Sequence, residues 1–297
     1  MNTRLSRVVR TGRVCASHSI NKARTWSARF LLCTGVLCAG LMTVNAQAAF
    51  QSVETFDSLN LANINGQNGW AATAGSGEVE RDPAGGDNQV LKVSTESGRL
   101  YKAVKITEGS TRMLFLRLRF AEHGAYSFGM TNAENPDEYG DFKPELGMAA
   151  ASSGDPNNDF RVANGFSTTT VYDVVTTLVP SIWYNVWVLV DNDSDTYQVW
   201  LNSTPGGDAG ATSDKLSNDA AESLFGFRTA LGADDDLINF FIKTGGGFSP
   251  VGGRFYLDDI YLDLENTGST NLNNPTGSDP TDPTDPTDPT DPTDPTD

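Results

Sequence analysis

Arg117, Arg119, His123 and Tyr126 fall within one short stretch of the chain, RLRFAEHGAY. Two guanidinium groups beside an imidazole and a phenol are what β-elimination from a uronate requires: a cation at the carboxylate and a side chain that can move the proton. Strand alternation brings the arginines together. Over Arg112–Phe120, Leu114, Leu116, Leu118 and Phe120 take one face, and Met113, Phe115, Arg117 and Arg119 take the other. The plainer alternative makes both arginines solvated strand residues paired with nearby acids, and His123 a turn residue. Other catalytic arrangements are poorly provided for. His123 is the only histidine beyond residue 48, no cysteine follows Cys38, and no G-x-S-x-G elbow occurs. That leaves no Cys–His dyad and no cysteine- or histidine-based zinc set. Acids are plentiful, but they lie mostly in turns, where sequence cannot pair two of them across a cleft as glycoside hydrolysis demands.

A second constellation suits binding. In IWYNVWVLVDNDSDTYQVWLN, Ile182–Asn202, two β-rich runs flank a polar cluster of turn-forming residues, which predicts an antiparallel hairpin. Matching the apolar sets pairs Val190 with Tyr197, Val188 with Val199 and Val186 with Leu201 around a four-residue loop, Asn192–Asp195. The opposite face then sets Trp187 against Trp200, Asn185 against Asn202 and Leu189 against Gln198. Flat rings edged by Asn185, Gln198 and Asn202 can stack on sugar C–H faces and bond hydroxyls, with Trp70 and Trp183 as alternates. The competing reading buries both faces in a sandwich and makes the tryptophan pair a sheet stabiliser.

Both constellations need strands to hold them. Short alternating runs recur at Gln89–Val93, Leu100–Ile106, Arg112–Phe120, Ala125–Met130, Phe160–Ala163, Thr170–Thr177, Leu237–Thr244 and Arg254–Leu262. No long stretch has helical period, and only Asp219–Leu224 reads as a short helix. So many strands predict an all-β fold, a two-sheet antiparallel β-sandwich of jelly-roll type. Residues 132–159, polar and bearing Pro and Gly, read as a long rim insertion. In the closing run FYLDDIYL, alternation must turn one of Asp258 and Asp259 inward, which is costly unless the carboxylate is paired or metal-bound. Asp191–Asp195 begins like a calcium loop but lacks the glycine at the sixth position and the distal glutamate, so it reads as a turn. Asp234–Asp236 reads as an acidic loop.

The opening run from Phe50 through INGQNGW to Trp70, the W-Y-x-V strand with its D-x-x-x-D-T-Y turn, and the closing RFYLDDIYLD resemble concanavalin A-like and laminin-G-like jelly-roll modules of secreted bacterial carbohydrate-active proteins. The resemblance covers about residues 50–265. It implies the same sandwich, and a structural Ca²⁺ between the first strand and the last, held by Glu54 or Asp57 with Asp258 or Asp259. It does not select a ligand, because this superfold hosts lectins, binding modules, hydrolases and lyases. The E-x-D-x-x-E set of jelly-roll glucanases is absent, as are the R-x-E-L, Q-I-H and Y-x-K-x-G-x-Y-x-Q motifs of jelly-roll alginate lyases.

The ends of the chain bound the rest. Residues 1–48 carry seven Lys or Arg, no acid, an apolar run Phe30–Met42 and a closing Ala46-Gln47-Ala48, the pattern of a secretory signal cleaved before Ala49. Cys15, Cys33 and Cys38 all lie within it, so the mature chain has no disulfide. The remaining chain sets 14 basic residues against 38 acidic ones, −24, and −17 over residues 49–266. That excludes a nucleic-acid partner and speaks against anionic membrane surfaces. It leaves an acidic polysaccharide open where cations gather locally. Residues 267–297 pass from Thr, Asn and Gly into D-P-T repeats, which predict an extended self-repelling linker leading to a covalently linked catalytic domain. The expectation is a secreted carbohydrate-binding module at 49–266. Its alternatives are a uronate lyase using Arg117, Arg119, His123 and Tyr126, and a structural or adhesive module.

Overall fold

A computed structural model of the chain describes residues 50–73, 76–93, 98–121, 124–148, 158–166, 171–232, 235–245, 254–263 and 270–276. The strands are Phe50–Glu54 (β1), Trp70–Ala72 (β2), Gly77–Arg81 (β3), Gln89–Val93 (β4), Arg99–Ile106 (β5), Thr111–Phe120 (β6), Tyr126–Thr131 (β7), Phe142–Met148 (β8), Asp159–Asn164 (β9), Val171–Thr177 (β10), Tyr184–Asp191 (β11), Thr196–Asn202 (β12), Phe225–Gly226 (β13), Leu237–Thr244 (β14) and Phe255–Asp263 (β15). Two sheets result. The first runs β13-β12-β11-β6-β15-β4-β3, with β1 beside the second half of β15, and the second runs β10-β9-β8-β7-β14-β5-β2. Every pairing is antiparallel, as in the sandwich that the alternating runs predict. Among the described residues no helix is long and apolar enough to cross a membrane.

The core lies between the sheets and is filled by the inward residues of both, among them Leu114, Leu116 and Leu118 of β6, Val186 and Val188 of β11, and Phe240 and Ile242 of β14. Period-two alternation fixes which residues enter it. The β11–β12 hairpin has the predicted register, including Trp187 opposite Trp200 and Asn185 opposite Asn202. Asp191 closes its loop by accepting the N–H groups of Asp193 and Ser194, a turn of the kind that an Asp at that place favours.

Two local expectations fail. Asp219–Leu224 forms no helix, because the Asn218 side chain accepts the N–H groups of Ala220 and Glu222 and offers the backbone a turn instead. The stretch 132–159 is not all loop: β8 runs through it as an inner strand. Pro144 hides the strand from sequence patterning, since it cannot donate to a ladder and sits where the register with β7 shifts between Gly129 and Thr131, the kind of irregularity that tolerates proline.

A second apolar cluster lies outside the core, on the far face of the first sheet: Met113, Phe115, Trp187, Trp200 and Ala209, with Phe50, Leu189, Tyr261 and Leu272 packed against it. Leu272 belongs to residues 270–276, which composition assigns to the linker. Here they lie on the sandwich, with the Leu272 carbonyl accepting from Ala209 N at 2.9 Å and Asn274 N donating to Asp208 Oδ1 at 2.8 Å.

Candidate functional site

The solvent face of the second sheet carries two rows of side chains, each fixed by cross-strand pairing. One row runs Arg99, Lys243, Ser127, Gly147, Arg161 and Val174, each directly opposite the next. The neighbouring row contains Tyr101, Phe241, Gly129 and Glu145. Tyr172 of β10 stands opposite Ala163, and its hydroxyl reaches Glu145 at 3.2 Å. The loop after β7 folds over the β5–β14 side. There Asn135 accepts from the Tyr101 hydroxyl at 2.9 Å, and Asp137 bridges Arg99 at 3.3 Å and Lys243 at 3.6 Å.

Beyond that loop the face opens into a pocket of about 320 Å³ lined chiefly by Ser127, Tyr139, Glu145, Arg161, Tyr172 and Arg228. Gly147 forms part of its floor, where a Cβ would meet the Tyr126 carbonyl oxygen at 2.0 Å. Glu145 is the hub. It is only 1% exposed, pairs with Arg228 at 2.5 Å, and accepts from Ser127 Oγ at 2.7 Å. Arg228 also contacts the Tyr172 hydroxyl. Burial pushes the Glu145 carboxyl above its usual range, while Arg228 and the Ser127 and Tyr172 hydroxyls pull it back. Burial, with the Glu145 charge adding, pushes the Tyr139 phenol up to about 12, and Tyr172 is raised for the same two reasons. Neither phenol is a ready base; both are proton donors at neutral pH. The site therefore offers fixed hydrogen-bond donors, one buried acceptor and two aromatic walls.

The Arg117–Tyr126 constellation does not assemble there. Arg117 and Arg119 stand on the first sheet, where Arg117 pairs with Asp259 at 3.1 Å and lies over the Trp183 ring, and Arg119 Nε donates to the Ser181 carbonyl. Tyr126 belongs to the second sheet and points into the core, stacked on Phe255. His123 lies outside the described residues. Alternation gives the right faces within β6, but the arginines and Tyr126 belong to different sheets.

The tryptophan platform forms with the predicted geometry but is covered. Trp187 is 0% and Trp200 3% exposed. Trp187 Nε1 donates to the Asn273 carbonyl at 2.9 Å, and Trp200 Nε1 to the Ala211 carbonyl at 3.1 Å. The amides expected to bond sugar hydroxyls instead fasten the loop after β12. Asn185 Nδ2 donates to Asn202 Oδ1 and the Thr204 carbonyl, and Asn202 Nδ2 to Asp214 and the Asp208 carbonyl. Gln198 is half-buried on the same strand. Of the alternates, Trp70 is buried against Glu54 and Trp183 donates to Asp82.

The four carboxylates expected to hold Ca²⁺ divide between two places. Glu54 is saturated by Phe56 N, Asn68, Trp70 Nε1 and Lys102 at 3.2 Å. Asp258, fully buried, takes Asn88 Nδ2 at 2.8 Å and lies 3.7 Å from Arg117, which holds Asp259 as well. Asp57 is exposed and accepts from Gln89 N. The inward carboxylate that alternation demands does not occur: Asp258 stands opposite Arg117 on the outer face, and a register shift between Asp258 and Tyr261, with Asp259 at φ 52°, returns Ile260 to the core without turning either carboxylate inward. Among the described residues no group of three acids, histidines or cysteines is placed to share a cation, so these residues do not fit a common Ca²⁺ site. Burial, then the Asp259 charge, pushes Asp258 up to about 8.

The pocket residues carry no local motif. Tyr139 and Glu145 lie close together in the chain, but Tyr172 and Arg228 come from two further segments, and only the tertiary fold gathers all of them. The one signal in the sequence is the polar stretch 132–159, which contains two of them.

No model of a known protein family matches the chain, and no curated protein matches it. Solved structures resemble it in fold at low identity. A sialidase is 11% identical with a TM-score of 0.47, over 73% of this chain and 18% of its own. The catalytic domain of a glycoside hydrolase family 131 protein from Coprinopsis cinerea is 12% identical with a TM-score of 0.42, over 68% and 80%. The VIP36 exoplasmic/lumenal domain, in a Ca²⁺/Man3GlcNAc-bound form, is 9% identical with a TM-score of 0.41, over 69% and 88%.

Proposed function

We propose that this protein is a carbohydrate-binding β-sandwich module whose ligand occupies the pocket on the second sheet. The observation that carries the reading is the open pocket itself, with tyrosine walls, a glycine in its floor, and polar groups already held in place by one another. A sugar ring presents C–H faces to such walls and hydroxyls to Ser127, Glu145 and Arg161. Preorganised donors reduce the ordering cost of binding. Two aromatic walls contributing about 1 kcal/mol each, with a few hydrogen bonds, correspond to roughly millimolar to micromolar affinity. The lining includes a single carboxylate, Glu145, which favours binding over a hydrolytic pair. Residues 1–48 fit an export signal, and the D-P-T repeats fit a spacer toward a linked catalytic domain.

The test is gel retardation of the purified protein against a panel of neutral and uronate polysaccharides, read alongside the absorbance of unsaturated uronate products. Retardation by at least one polymer, with no new absorbance, supports the assignment. Rising absorbance would make the protein a lyase and overturn it. Absence of retardation across the panel would overturn it as well.

A further inference from the structure

Lys102 is a lysine at a core position. In β5 it shares the inward face with Leu100, Val104 and Ile106, stands opposite Trp70 and Phe240, and is 8% exposed. Its amine meets the Glu54 carboxylate, itself 3% exposed, at 3.2 Å and lies 5.9 Å from the centre of the Trp70 ring. Removing two charges from water costs about as much as their attraction returns, and apolar residues of similar size often stabilise a core as well or better. The pair therefore points to a role besides stability.

A third group completes the cluster. The Glu54 Oε2 that receives Lys102 Nζ also accepts from Asn68 Nδ2 at 2.9 Å. Lys102 Nζ donates as well to the main-chain carbonyl of Asn68. An amine and a carboxamide are thus held against one carboxylate oxygen, beside the Trp70 indole, whose Nε1 donates to that oxygen too. Asn68 is exposed, so a small product released from its side chain has a way out to solvent.

We propose that Lys102 and Asn68 become joined by an intramolecular amide bond, with Glu54 carrying the protons. Lys102 gives a proton to Glu54, and the neutral Nζ attacks Asn68 Cγ. The Nζ–Cγ bond forms and the Cγ–Nδ2 bond breaks. Nζ keeps one hydrogen and passes two through Glu54 to Nδ2, which leaves as ammonium. Nothing is oxidised or reduced, and no further reactant is needed. Holding both partners on one oxygen supplies the proximity that the uncatalysed reaction lacks. The bond would tie the segment before β2 to β5, residues 34 apart in the chain, and so restrict the unfolded chain as a disulfide does. No cysteine follows Cys38, so no disulfide can do this within the sandwich.

The test is intact-mass measurement of the purified, denatured protein, followed by protease digestion and peptide mapping, with Asn68→Ala and Glu54→Gln beside the wild type. The expected wild-type mass is lower than its sequence requires by one molecule of ammonia, with one linked pair of peptides joining Lys102 to Asn68. Both variants should show their full sequence mass and a separate Lys102 peptide. Asn68→Ala changes an exposed residue and leaves the buried pair in place, so it decides the bond even where Glu54→Gln fails to fold. A wild-type mass equal to that of the sequence would overturn the proposal. So would loss of ammonia without a linked peptide, since an Asn followed by Gly, as Asn68 is by Gly69, can also shed ammonia by closing a ring with the next main-chain nitrogen. That product opens again in mild alkali and leaves Lys102 unlinked. A linked peptide persisting in folded Glu54→Gln would overturn the role of Glu54.

Discussion

Arg228 Nη1 lies 2.5 Å from Glu145 Oε2, tying an inner strand of the second sheet to the segment that leaves β13 at the edge of the first. Glu145 is 1% exposed, so its charge depends on this partner. Breaking a buried pair from one side leaves the other charge uncompensated. Glu145→Ala should therefore cost about 3 kcal/mol of unfolding free energy by denaturant titration. Glu145→Ala combined with Arg228→Met should cost less than the two single changes summed. Strict additivity would show that the pair is not coupled.

Gly147 sits where β8 approaches β7 so closely that a Cβ would lie 2.0 Å from the Tyr126 carbonyl oxygen and 2.8 Å from Ser127 Cα. These are backbone atoms and cannot swing aside. Gly147→Ala should lower stability by about 2 kcal/mol or more, seen as a depressed thermal midpoint. A midpoint within a degree or so of the wild type would show that the sheet accommodates the methyl group.

Residues 270–276 cover the Trp187–Trp200 face. Ending the chain at residue 269 removes Leu272, the Asn273 carbonyl that accepts from Trp187 Nε1, and the bonds from Asn274 to Asp208 and Gly207. The lost burial and hydrogen bonds amount to about 2–3 kcal/mol. Acrylamide should quench tryptophan fluorescence markedly more in the shortened protein. Identical quenching in both forms would contradict the covering role.

How much of this was legible in the sequence depended on range. The hairpin register could be read because two apolar sets of period two admit one alignment, and Trp187 opposite Trp200 followed from it. Its burial could not be read, because the covering segment is polar apart from Leu272 and shares the composition of a linker. Likewise Arg117 and Arg119 took the outer face of β6 as alternation requires, yet the partners that claim Arg117 lie more than 140 residues away in β15. The pocket was hidden for a similar reason. Glu145 follows a proline that disguises its strand, and Tyr172 and Arg228 reach it only through sheet order.

Asp258 predicts a pH dependence with a definite sign. Its folded value of about 8, raised by burial and then by Asp259, lies above the ordinary carboxylate value near 3.9. The folded state then binds more protons than the unfolded state between these values, so the contribution of Asp258 is fully present below about pH 4 and is lost as pH rises through about 8. The unfolding free energy should fall between about pH 5 and 8 by an amount on the order of a few kcal/mol, and the thermal midpoint should fall with it. Asp258→Asn should flatten that slope. A wild-type midpoint that is constant or rises across this interval would contradict it.

The most direct test sets the two aromatic sites against each other. Binding isotherms for whichever polysaccharide retards the wild type would be measured for Tyr172→Ala and Trp187→Phe, with both folds checked by circular dichroism. Placement of the ligand in the pocket of the second sheet predicts that Tyr172→Ala loses about tenfold or more in affinity while Trp187→Phe binds as the wild type does. Loss in Trp187→Phe with Tyr172→Ala unaffected would contradict that placement and return the binding face to the first sheet.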